Sequence, residues 1–151
     1  MIMTTKQFHI GDLISLSTDR LVSPRHMDGL YDILNYMTGD NLWTHQLPRA
    51  CDVCRPHLHE QHPWLEDQEI QTIAIGELIL MLESPSIKSQ DDAMKLVMGW
   101  LSKLASTYGE MHAITPLEKG VWNHIDPVDE AVMIKGEENV IAVIVDDAHD
   151  S

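Results

Sequence analysis

Basic residues are scarce in this chain. Ten Lys and Arg stand against 24 Asp and Glu in 151 residues, a formal net charge of -14. So acidic a chain repels phosphate, which argues against direct binding of DNA or RNA. The four tryptophans, Trp43, Trp64, Trp100 and Trp122, could stack bases beside an arginine, but the same acidity argues against that use, and Trp100 reads as core. Two cysteines cannot build a disulfide framework. The longest apolar-rich run covers 73–82, is broken by Gly76 and Glu77, and is half the length of a membrane span. The first residues carry no apolar stretch behind their charge, so they do not read as a signal peptide. The expectation is a soluble cytoplasmic protein with both thiols reduced. There is no internal repeat, low-complexity tract or Gly/Ser linker. The Gly-rich dinucleotide and phosphate-loop patterns, the serine-hydrolase elbow and the His-Glu-x-x-His zinc motif are all missing.

What is there suits one core. Hydrophobic residues make up 44% of the chain, too many for disorder. A chain of this mass buries roughly 69% of its unfolded surface, which fits a single domain over 1–151. The charge is divided unevenly. Residues 1–59 hold six acids and five bases, a net of -1, and include all four arginines and five of the nine histidines. Residues 60–151 hold eighteen acids and five lysines, a net of -13. The first part offers specific polar contacts. The second is either a solubilising exterior or a face that steers toward a basic partner.

Periodicity sets out the elements. Residues 13–17 alternate apolar and polar and read as a short strand. Met27, Leu30, Tyr31, Leu34 and Met37 recur at helical spacing, and Gly39 can end that helix in the left-handed conformation. A second helix starts at Thr44, with Leu47, Ala50, Cys51, Cys54 and Leu58 on one stripe. Pro48 is tolerable in its first turn, Pro56 should kink or restart it, and His62-Pro63 closes it. Residues 66–82 fit helix or strand, and length favours helix. The cluster 89–92 reads as an N-cap for a helix running to Tyr108, ended by Gly109. Residues 111–117 read as a strand. Asp126 and Pro127 open a short helix to about Ile134, and the β-branched run 140–145 reads as a buried strand. The sum is an α+β fold, four or five helices packed on a small, mostly antiparallel sheet of about three strands.

Four groups of residues could carry chemistry. Cys51, Cys54, His57 and His62, with His59 between, supply zinc-type ligands. Their spacing is not that of a standard finger, and the two cysteines share the apolar stripe, so packing is the commoner outcome. A redox pair is less expected still, because no strand leads into it. Arg20, Arg25, His26, Asp28, Asp32, His45 and Arg49 lie at turns and helix starts. An arginine there can hold a phosphate or carboxylate, and a histidine beside an aspartate can act as a base. The plainer expectation is internal pairing, such as Arg49 with Asp32 or Asp40. Trp122 and His124 could cap a pocket, though a capped helix start is the simpler reading. The fourth group is the acidic set Glu66, Asp67, Glu69, Asp91, Asp92, Glu137 and Glu138.

One block is distinctive: residues 18–24 (Thr-Asp-Arg-Leu-Val-Ser-Pro), 31–35 (Tyr-Asp-Ile-Leu-Asn), 37–40 (Met-Thr-Gly-Asp) and 44–50 (Thr-His-Gln-Leu-Pro-Arg-Ala), then His62-Pro63. With Tyr108-Gly109-Glu110, Pro116-Leu117 and Asp126-Pro127, it resembles a family of small bacteriophage and prophage proteins. Residues 66–92 match least, and Cys51, His57 and His59 are not part of the pattern. The resemblance implies a phage accessory protein working in a bacterial cytoplasm. Two functions follow as expectations. In the first, the protein binds and inhibits a host nucleic-acid-handling machine, of the anti-CRISPR or anti-restriction kind, its acidic face standing in for phosphates. In the second, it is a small enzyme or ligand-binding protein for a phosphorylated or nucleotide substrate, using His45, Arg49, Arg20, Arg25 and Asp32. The first is preferred. It expects no cofactor, no membrane and no direct nucleic-acid contact.

Overall fold

The computed structural model describes residues 4–135. Strand β1 (Lys6–His9) leads directly into helix α1 (Ile10–Thr18), followed by α2 (Met27–Thr38) and α3 (Leu47–Gln61). A π-helical turn (Glu69–Ala74) runs into α4 (Ile75–Leu82), and α5 (Gln90–Tyr108) returns the chain to strand β2 (Met111–Ile114). A last helix, α6, occupies 127–135. Among the described residues the fold is therefore mostly helical, with six helices and one two-stranded antiparallel sheet. The expected α+β arrangement on about three strands does not form. Residues 13–17 are helix, not strand, and the run 140–145 lies outside the described residues.

The misread segment is the centre of the fold. Every residue of α1 from Ile10 to Ser17 is buried, so no polar face shows in its sequence. Its serines are satisfied inside. Ser15 Oγ donates to Gly11 O at 2.7 Å and accepts from Val22 N–H at 2.9 Å. Polar residues with internal partners produced the apparent alternation. The side chain of His9 caps the helix, its Nδ1 accepting from Gly11 N–H at 2.9 Å.

The other helices pack around α1 as their periodicity predicts. α2 buries Gly29, Ile33, Leu34 and Met37, and Gly39 ends it at φ 71°, its N–H bonded to Asn35 O. α3 buries Leu47, Ala50, Cys51, Cys54 and Leu58. The helix does not restart at Pro56; it runs unbroken to Gln61. Pro56 and Asp52 are both exposed, so the Asp52 carbonyl that loses its helical donor faces water instead. Ser89 caps α5 by accepting from Asp92 N–H, and Trp100, buried in that helix, donates Nε1–H to Ala74 O at 3.0 Å.

β1 and β2 pair from Lys6 with Ile114 to His9 with Met111. Phe8 and Ile114 face the core. The outer edge of β2 is occupied by side chains from the end of α3. Gln61 accepts from Thr115 N–H at 2.7 Å and His62 Nε2 lies 2.9 Å from Ala113 O. An edge that would otherwise be a template for strand addition is thereby closed.

Candidate functional site

The basic residues near the N-terminus are turned onto the protein's own carboxylates. Arg25 bonds Asp12 Oδ2 at 3.0 Å and Asp32 Oδ2 at 3.1 Å, and Lys6 bonds the other oxygen of Asp32 at 3.0 Å. Asp12 is wholly buried and also accepts from Ser23 Oγ at 2.5 Å. Partial burial raises the Asp32 carboxyl, but Lys6 and Arg25 outweigh it and hold the group below the ordinary value. Bonding to Asp12 likewise holds the Arg25 guanidinium further up. The loop before α2 is clamped here: His26, at φ 56°, donates its N–H to Ser23 O. Gly29 passes so close that an added Cβ would lie 2.1 Å from Ser23 Oγ and 2.3 Å from Asp12 Oδ1.

Arg49 and His45 belong to a different network. Arg49 holds both oxygens of Glu130, at 2.7 and 3.1 Å, and stacks 3.9 Å over the Trp122 ring. Gln46 Nε2 donates to Glu130 Oε1 and to Ile125 O, both at 3.1 Å. His45 Nε2 lies 2.7 Å from Pro127 O. The Arg49 bonds pull the Glu130 carboxyl down, against the upward push of burial. Beside them Asp40 accepts from Trp122 Nε1–H at 2.9 Å and pairs with His124 Nδ1 at 2.7 Å. Burial raises Asp40, yet those partners leave it lowered, and Asp40 in turn raises His124. Together these side chains fasten residues 122–130 to α3 and to the end of α2. The expected partners of Arg49, Asp32 or Asp40, are engaged elsewhere.

The proposed Arg/His/Asp cluster is therefore split. Arg25 and Asp32 lie with Asp12, and His45 and Arg49 lie with Glu130. Arg20 is exposed and, among the described residues, bonds only through its backbone, from its N–H to Thr18 Oγ1. Asp28 and His26 are exposed at the start of α2.

The zinc-type set does not gather either. Cys51 and Cys54 are free and buried in the α3 stripe, and burial pushes their thiols up to about 11 and about 12. His57 Nε2 faces Thr115 Oγ1 at 3.3 Å, and His62 faces Ala113 O. Among the described residues no three His, Cys, Asp or Glu are grouped as metal ligands.

A relay that the sequence does not reveal joins α1, α3 and the π turn. Ser17 Oγ and His59 Nε2 are 2.7 Å apart, and His59 Nδ1 is 3.4 Å from Glu66 Oε1. Gln71 Nε2 donates to Ser17 Oγ at 2.8 Å and to Leu65 O at 2.7 Å. This is the order of a nucleophile, base and acid, with the burial reversed. Ser17 is 5% exposed, whereas the Glu66 side chain is 63% exposed. A substrate would meet the acid first, so the relay acts as a structural tie. Burial is the main reason that His59 titrates below the ordinary histidine value.

The acids chosen from the sequence fall into three groups. Glu66, Asp67 and Glu69 are exposed close together in sequence, from the end of the connection after α3 to the first residue of the π turn. Asp91 and Asp92 sit in the first turn of α5, where Asp92 accepts from Lys88 N–H at 3.1 Å, so both have a helix-start role. Glu137 and Glu138 lie outside the described residues. Lys6, Arg25, Arg49 and Arg55 are all paired with the protein's own carboxylates, Asp12, Asp19, Asp32, Asp52 and Glu130, so the pairs cancel and the acidic excess of the composition rests on the remaining residues.

Residues 8–68 match a domain of unknown function, DUF7736. The match spans α1 to α3 and all four arginines, together with the block singled out in the sequence from residue 18 to His62-Pro63. No curated protein and no solved structure matches the chain.

Proposed function

We propose that this protein acts by binding, as an acidic phage-encoded accessory protein that occupies the basic, nucleic-acid-holding surface of a host machine of the CRISPR or restriction type. The observation that carries the reading is the division of charge. Four of the five bases in residues 1–59 are neutralised by internal partners, while Glu66, Asp67 and Glu69 stand exposed close together in sequence. Carboxylates so arranged can compete for guanidinium and ammonium groups that normally hold phosphate. The resemblance to phage and prophage proteins supports action inside a bacterial host, and no described helix is long and apolar enough to cross a membrane. An enzymatic role through His45, Arg49, Arg20, Arg25 and Asp32 has less support, because the structure divides these residues between separate networks.

The test is affinity capture from a bacterial lysate at low and high salt. The expected result is a nucleic-acid-binding partner that is released by salt and by added DNA or RNA. Replacing Glu66, Asp67 and Glu69 together by Lys should abolish its capture. Retention by that triple variant, or a partner indifferent to salt and nucleic acid, would overturn the reading.

A further inference from the structure

The outward side of α3 and the loop after β2 enclose a groove of about 540 Å³. Its apolar lining comes from Val53 and Pro56 on the helix and from Leu117 and Val121 on the loop. Glu60 and Glu118 also line it, both exposed. Neither carboxylate has an ion-pair or hydrogen-bond partner among the described residues, and no Lys or Arg lies outside them. The groove is shaped by fixed elements. His57 meets Thr115 Oγ1 at 3.3 Å, Gln61 clasps the Thr115 backbone, and Leu117 N–H bonds Met37 O at 2.9 Å.

We propose that this groove receives a long basic side chain, Arg or Lys, projecting from the protein partner. Such a side chain has an apolar stem and a charged head that needs acceptors. The walls match the stem, and Glu60 and Glu118 match the head. The inference rests on the acidic-binder reading given above and adds a defined point of contact to it. A second copy of this chain is a poor occupant, since the net charge of -14 sets copies against each other. The site is separate from the turn at Glu66, Asp67 and Glu69, so a basic partner would be read at two places.

The test uses the full chain and a fluorescent peptide of alternating arginine and alanine, followed by anisotropy at low salt. Glu60→Gln with Glu118→Gln should weaken binding about tenfold, the loss of two partly exposed ion pairs. A control pair, Glu83→Gln with Asp129→Asn, removes equal charge from exposed positions outside the groove and should leave binding unchanged. In the unaltered protein, the ring signals of His57 should shift on titration with the peptide. Equal weakening by both pairs would overturn the groove and leave a diffuse acidic binder standing. No binding by the unaltered protein would overturn the groove and the acidic-binder reading together.

Discussion

Asp12 shows most directly what a single side chain does in this molecule. Its carboxylate is wholly buried, bonded by Ser23 and Arg25, and pressed by Gly29. Removing it strands a buried hydroxyl and leaves the half-exposed Arg25 guanidinium, among the described residues, with Asp32 alone. Asp12→Ala should cost about 2–3 kcal/mol in urea unfolding, less than a fully buried pair would because Arg25 reaches water. Gly29→Ala places a methyl group inside that contact and should cost about 1–3 kcal/mol by overpacking. In the double variant the space left by Asp12 should relieve part of the clash, so the two effects should fall short of their sum. Full additivity would show that the two positions are not coupled. None of this was legible in the sequence. Asp12 stands eleven residues from Ser23 and thirteen from Arg25, and in isolation it looks like one more acid in an acidic chain.

Titration belongs to the residue scale too. Asp32, Asp40 and Glu130 ionise more readily than unperturbed carboxylates, so in the unfolded chain they bind protons at higher pH. Their contribution is present above the ordinary carboxylate value, about 4, and is lost as pH falls below it. His59 and His112 are held below the ordinary histidine value, chiefly by burial. The unfolded chain therefore takes up their protons first, and stability should decline as pH falls through about 6.5. His124 acts in the opposite sense, since Asp40 raises it; its contribution is present at low pH and fades as pH rises. Urea midpoints at pH 7 and pH 5 should show a decline that His59→Gln reduces and His124→Ala enlarges. A midpoint unchanged between the two pH values in all three proteins would contradict these assignments.

At the scale of elements, legibility followed the amphipathic stripe. α2, α3 and α5 each bury one face, and each was readable together with its end signals at Gly39, His62 and Ser89. α1 was not, because a helix buried on all sides has no stripe, and Ser15 and Ser17 bond inward rather than facing solvent. β1 was missed for a related reason. Four residues whose only sheet partner among the described residues is β2, more than a hundred positions away, leave little local pattern. The candidate site was legible only in part. The exposed acids at 66–69 were identifiable, whereas the pairing of Arg49 with Glu130 spans 81 residues. The closure of the β2 edge gives the element-scale prediction. The Gln61 amide accepts from Thr115 N–H and donates to Thr115 O. Gln61→Ala should leave that edge to solvent, cost about 1 kcal/mol, and speed hydrogen exchange at the Thr115 amide specifically. Unchanged exchange there would mean that the Gln61 contact does not protect the strand. Ser89→Ala should cost a similar amount, about 1 kcal/mol, by removing the α5 cap.

For the whole molecule, charge is the governing quantity, and its two parts respond differently to salt. The internal pairs of Arg25, Arg49 and Arg55 lie partly out of water, where screening is weak. The exposed acids repel one another across the surface, and that repulsion is screened fully. The internal pairs are close to neutral and leave the net of -14 on the rest of the molecule, so self-repulsion should dominate the salt response. Raising NaCl from about 0.02 to about 0.5 M shortens the screening length several-fold and should raise the melting temperature. Binding to a basic partner should move the other way, because the same ions screen the attraction. Opposite signs for stability and binding in one salt series are the expected outcome. A melting temperature that fell with salt would show that the ion pairs, not the surface acids, set the electrostatic balance. The acidic exterior would then be too weakly coupled to account for salt-sensitive capture of a partner.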